Sequence, residues 1–171
     1  MTGAARPGPT PPAALTEVRA RVEALPDPEL PMISLGELGV IQAVAVGADG
    51  SVEVAVTPTF LGCPALAAIN SSVEDVLREC GHADGRVRTV LAPAWTTERI
   101  TASGRDKLAA HGIAPPAPAG APGPVRLGLG VPCPHCGSGA TRPHSAFGPA
   151  RCQSMLRCTA CQETFPYMTA M

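Results

Sequence analysis

The sequence predicts an α+β domain with helices on a short sheet, followed by a small module held together by cysteines, and three observations carry that reading. Two β-branched runs, 40–46 and Val52–Val56, flank the turn Gly47-Ala48-Asp49-Gly50, and the second alternates Val52, Val54 and Val56 with Glu53 and Ala55, as a β-hairpin does. Leu66, Ile69, Val73, Val76, Leu77 and Cys80 then share one helical face, and 86–92 supplies a third β-run. Two CxxC pairs, Cys133/Cys136 and Cys158/Cys161, stand near the end of the chain. The 171 residues suit one full domain plus an appendage rather than two medium domains.

Residues 1–14 are rich in Pro, Gly and Ala and show no apolar period, so they are expected to be disordered. Leu15, Val18, Val22 and Leu25 mark a short helix that Pro26 and Pro28 stop. The stretch DPELPMISLGELGVI, 27–41, reads as an ordered loop able to line a site. On composition alone its carboxylates, Asp27, Glu29 and Glu37, are capping or solvated groups. After the hairpin comes TPTFLGCPAL, 57–66, where Pro64 suits a first helical position and Cys63 falls at or next to the N-cap. A thiol there faces unpaired N–H groups and the positive end of the helix, which favour thiolate. Two readings of Cys63 stand side by side: a reactive or metal-binding sulfur, and a small buried hydrophobe. Cys80 lies on the apolar helix face and reads as core, Gly81 fits the left-handed C-cap, Trp95 is a packing anchor, and 97–111 is expected to form one closing helix.

The run IAPPAPAGAPGP, 113–124, is a Pro/Ala/Gly spacer, so the expected division is a tail 1–14, a domain 15–113, a linker 114–124 and a cysteine-rich module 125–171. In that module Cys133, Cys136, Cys158 and Cys161 give two knuckles whose four thiolates complete a tetrahedral site. Four sulfurs make the site closed and structural, with zinc favoured over rubredoxin-like iron. Strand-like segments lie around 141–147 and 151–156. Cys152, outside both pairs, is either a spare residue of the module or a second reactive thiol; His135 and His144 read as surface residues.

Composition excludes several function classes. There is no GxGxxG after a strand and no GxxxxGK[ST], so a nucleotide fold is not expected. The tail carries only Arg126, Arg142, Arg151 and Arg157 against Glu163, and aromatics are few, which argues against a nucleic-acid binder. No segment reaches the ~18 apolar residues needed to cross a bilayer. The first residues lack the apolar core of a secretion signal, which predicts a reducing cytoplasmic setting in which seven cysteines serve metal or thiol chemistry.

On DPELPMISLGELGVI, the hairpin and TPTFLGCPAL, the chain from about residue 15 to 113 resembles the SufT-like, MIP-type family of iron–sulfur cluster assembly proteins. With WTTERITASGRDKLAAHGIAPP and the tail CPHCG…SAFGPARCQSMLRCTACQETF added, it is similar to the PaaD (PaaJ) family of the ring-1,2-phenylacetyl-CoA epoxidase system. That resemblance implies a non-enzymatic accessory role in phenylacetate catabolism: helping to mature the metal centres of a multicomponent di-iron oxygenase or its iron–sulfur reductase. It implies zinc in the ribbon, transient iron or an iron–sulfur cluster at Cys63 with Asp27 and Glu29 beside it, and a functional Cys152. The implied partners are the oxygenase and reductase subunits, with a homodimer compatible and no nucleic acid or membrane involved. Two other roles stand against it: a stoichiometric structural subunit of the oxygenase and, more weakly, a zinc-ribbon nucleic-acid binder. The chain departs from the family pattern at Pro149-Ala150, Gln153, Thr164, Pro166 and Met168, leaving the four ribbon cysteines intact.

Overall fold

The computed structural model describes residues 12–116 and 130–169. The first helix, α1 (Pro12–Ala24), begins inside the stretch expected to be disordered and buries Val18 and Val22 completely. The loop that follows closes on itself: Asp27 N–H donates to Ile33 O at 3.0 Å and Leu35 N–H to Leu25 O at 2.8 Å. Within it lies a one-turn helix, α2 (Leu35–Leu38), where only loop was expected. Its cause is local. The Ser34 hydroxyl accepts from Glu37 N–H while the Glu37 carboxylate accepts from Ser34 N–H, a reciprocal capping box. Gly39 ends the turn with φ 73°, a left-handed geometry that costs glycine nothing.

The hairpin forms as expected, with β1 (Ile41–Val46) antiparallel to β2 (Val52–Val56) and a bulge between Ile41 and Ala43. The helix α3 (Leu66–Glu79) then crosses over, so that β3 (Arg86–Thr89) pairs parallel with β2 and the sheet order is β1-β2-β3. Ile69, Val73, Val76 and Leu77 are the buried face of α3, Gly81 follows it at φ 84°, and Cys80 is half-buried with its sulfur accepting from Arg21 Nη1–H at 3.4 Å. The third strand stops at Thr89, three residues short of expectation. Trp95 is 4% exposed, and its indole N–H donates to Leu38 O at 2.9 Å, which ties the chain back to α2.

The closing helix is broken in two. A 3₁₀ turn (Thr97–Arg99) precedes α4 (Ala102–Ala110), because Ile100 leaves the helical geometry (ψ 122°) to reach the core and the Thr101 hydroxyl caps a fresh start by accepting from Gly104 N–H.

The spacer was expected to begin at residue 114, yet Ile113 and Ala114 are buried. Ala114 N–H donates to Pro166 O at 2.8 Å and Ala114 O accepts from Met168 N–H at 3.1 Å. The rest of that expected spacer, from residue 117, lies outside the described residues, as do residues 1–11. The cysteine-rich module is a three-stranded antiparallel sheet in the order β4 (Thr141–Ser145), β5 (Gln153–Cys158), β6 (Thr164–Met168). Its own core is small: Ala114, Val131, Cys133, Leu156, Cys158 and Phe165. Ala150, Cys152 and Met168 face the other way and join the core of the larger domain. Its β4–β5 turn and the end of β6 are thereby docked on the α+β domain.

Candidate metal and thiol sites

Two groups of cysteines result. In the module, Cys133 and Cys158 are buried, and the sulfurs of Cys133, Cys136, Cys158 and Cys161 all lie within 4.8 Å of one another. Cys133 Sγ is 3.7 Å from Cys161 Sγ, and Cys136 Sγ is 3.6 Å from Cys158 Sγ. A tetrahedron with zinc–sulfur bonds of about 2.3 Å has edges of about 3.8 Å, so the four positions fit a zinc ion. The knuckles build this geometry from backbone: Gly137 N–H donates to Cys133 O at 2.7 Å, and Cys158 N–H donates to Glu163 O at 2.9 Å. Each pair is followed by a left-handed residue, Gly137 at φ 72° and Gln162 at φ 68°. The sequence points to Gly137 as a turn former; Gln162 escaped notice, although its place directly after the second CxxC carries the same signal. Backbone N–H groups of Cys161 and Ala160 aimed at the Cys158 sulfur lower its pKa.

The second group lies where the module meets the domain. Asp27, Glu29, Thr57, Cys63, Leu66 and Cys152 line a cleft with a free volume of about 10 Å³. Asp27 is 6% exposed, and its Oδ1 accepts from the N–H groups of Glu29 at 2.9 Å and Leu30 at 2.8 Å. Burial outweighs those two donors and raises its pKa. Cys63 follows Gly62, whose φ of 84° turns the chain sharply after Leu61. Cys152 is 6% exposed on the turn before β5, where its carbonyl accepts from Thr169 N–H at 3.0 Å. Cys152, left by the sequence as either a spare residue of the module or a second reactive thiol, packs in the domain's core beside the Cys63 cleft.

The expected thiolate at Cys63 is corrected. The helix starts at Leu66 with Ala65 as its N-cap, so Pro64 is not its first residue and Cys63 sits two residues before the cap. The N–H groups of Ala65 and Leu66 do favour the thiolate, yet burial first, and then the charges of Glu29 and Asp27, raise the Cys63 pKa. Burial and the same two carboxylates push Cys152 up to about 12. Both thiols are therefore protonated at neutral pH. His135 and His144 are exposed, the former with its ring edge on Phe165. No helix among the described residues is long and apolar enough to cross a membrane.

Comparison with known proteins agrees with this two-part geometry. Residues 15–90 match a family described as iron-sulfur cluster assembly protein, and residues 120–169 match the PaaD zinc beta ribbon domain. A protein of Escherichia coli (strain K12), named as the putative D component of 1,2-phenylacetyl-CoA epoxidase, is 35% identical over 156 residues, which is 91% of this chain and 93% of that protein. Among solved structures, a domain of unknown function, DUF59, from Bacillus anthracis superposes with a TM-score of 0.50 at 28% identity, covering 56% of this chain and 92% of that one.

Proposed function

The chain belongs to the PaaD family of 1,2-phenylacetyl-CoA epoxidase components, and from that membership we propose that it is a non-catalytic accessory protein that assists iron or iron–sulfur maturation of the oxygenase or its reductase. In this reading the domain 15–113 presents Cys63 as the working sulfur, with Asp27 and Glu29 beside it. The ribbon 125–171 is held together by Cys133, Cys136, Cys158 and Cys161. Zinc on four sulfurs leaves no open coordination position, so its contribution there is to folding.

One observation carries the proposal: a soft ligand, Cys63, is held in a cleft with two carboxylates, in a domain matched by an iron–sulfur assembly family. Thiolate and carboxylate together suit iron. The setting inferred is cytoplasmic, where thiols remain reduced and available. Exposed Leu61 and Leu91 on the α+β domain and Phe147, 83% exposed on the β4–β5 turn, give a client protein apolar surface to rest on.

The test is to produce oxygenase and reductase together with this chain and without it, and to measure their iron content and activity. Full metallation and activity without the chain would overturn the proposal. A chain that stays at one copy per oxygenase after the metals are loaded would be a structural subunit instead.

A further inference from the structure

We infer that the ribbon is a zinc-dependent cover over Cys63. Zinc on Cys133, Cys136, Cys158 and Cys161 keeps the β4–β5 turn seated beside that thiol, and loss of the metal frees the turn and opens Cys63 to solvent. The inference goes beyond the maturation reading and does not rest on it.

Cys63 is half-buried, and the cleft around it is lined from residues 27–69 of the α+β domain with one exception, Cys152. That exception stands on the β4–β5 turn, and with Ala150 and Met168 it completes the core of the larger domain. All three are at most 6% exposed, and they are the ribbon's whole share of that core among the described residues.

The turn takes its shape from the ribbon rather than from the surface it covers. Buried Gln153 donates its backbone N–H to Ala150 O at 3.0 Å, accepts from Gly148 N–H at 2.9 Å, and reaches Met168 Sδ with its side-chain amide at 3.9 Å. Thr169 N–H donates to Cys152 O at 3.0 Å, which fastens the turn to the end of β6.

The strands β5 and β6 depend in turn on the four sulfurs. Of the six residues in the ribbon's own core, Cys133 and Cys158 are metal ligands. So small a module has too little apolar burial to fold unaided, and its folding free energy comes from the metal. Released from β5 and β6, the turn would have to order itself for the burial of three side chains, two of them small, and chain entropy opposes that. The rest of the larger core comes from the α+β domain itself, so the opening is confined to the Cys63 cleft.

Alkylation of the full, reduced chain by iodoacetamide, read peptide by peptide in a mass spectrometer, tests this; trypsin cleaving after Arg78 separates Cys63 from Cys80. Removing zinc with a chelator should speed alkylation of Cys63 by roughly tenfold or more, and one equivalent of zinc should restore the slow rate. Cys80, at the end of α3 and bonded to Arg21, should change by less than about twofold. Ala150→Asp separates docking from metal: with zinc content unchanged, Cys63 should react as fast as in the chelated chain, because an unpaired carboxylate is costly to bury in the apolar seam. Met168→Gln takes its place if that variant loses zinc, and the chelation result decides by itself if both do. A Cys63 rate indifferent to zinc, a fast rate that zinc does not reverse, or a variant in the seam that keeps both zinc and a slow Cys63 would each overturn the inference. Equal acceleration of Cys80 would overturn it too, since the whole domain would then be unfolding with the metal.

Discussion

Replacing Glu37 with alanine should lower the stability of the α+β domain by about 2 kcal/mol at neutral pH, and the loss should fade in acid. One carboxylate ties two elements by three bonds: it caps α2 through Ser34 N–H at 2.9 Å, and on α4 it accepts from Ser103 Oγ at 2.8 Å and pairs with Lys107 Nζ at 2.7 Å. A lost cap costs about 1 kcal/mol, the hydrogen bond ~0.5 kcal/mol, and the partly exposed ion pair ~0.5 kcal/mol. The proton equilibrium gives the same figure by another route. Lys107 first, then the Ser34 N–H, hold the Glu37 carboxyl at about 2, against an ordinary 4.5. Taken whole, that shift is worth about 3 kcal/mol. With Lys107 47% and Glu37 18% exposed, solvent screening brings it to about 2 kcal/mol. Because the folded pKa is depressed, the stabilisation is complete above pH 4.5 and disappears as pH falls towards 2. Urea unfolding followed by Trp95, the sole tryptophan and bonded to the end of α2, reads it directly. Comparing wild type and variant at each pH cancels the acid release of metal common to both. A difference that is absent at pH 7, or that stays constant down to pH 3, would refute the argument.

Three further outcomes are expected. Cys63→Ser should keep zinc content and folding while cells growing on phenylacetate recover oxygenase or reductase short of iron, whereas Cys80→Ser should cost stability without that loss; normal growth with fully metallated partners would return Cys63 to a packing role. The purified chain should carry one tightly bound zinc, and chelation, or serine at Cys133, Cys136, Cys158 or Cys161, should abolish amide-exchange protection in β4, β5 and β6 while β1 and β2 keep theirs; a ribbon still protected after chelation would show the metal to be dispensable. Gly39→Ala should destabilise by roughly 3 kcal/mol or more, since the added Cβ would adopt a left-handed backbone 2.5 Å from Arg99 O, whereas Gly50→Ala, at φ 87° with nothing within 4 Å, should cost only about 1 kcal/mol in thermal unfolding; equal costs would mean the contact with Arg99 relaxes freely.

The hairpin and α3 were legible because their periods, two and 3.6, are properties of adjacent residues. The short α2 was also within reach: Ser34-Leu35-Gly36-Glu37 is a capping-box spacing, but one turn gives no apolar period to draw attention to it. The last strand was not read, since Pro166 interrupts its pattern; it is tolerated because the partner strand β5 lies on one side and only the single residue Ala114 on the other. The four ribbon cysteines could be picked from spacing alone. What spacing could not show is the balance at Cys63, where burial first and then carboxylates 34 and 36 residues earlier raise the pKa of the sulfur. Local sequence places the helix dipole near the sulfur, and tertiary packing overrules it.

The stitching of Ala114 to β6 bears on how the chain can be cut. Ala114 on one side of the interval 117–129 and Val131 on the other share one small core. Each flank is thus anchored by itself, and the relative placement of the two modules does not depend on the covalent path between them. Proteolysis within that interval should yield a nicked molecule whose fragments travel together through gel filtration and part only in denaturant or chelator.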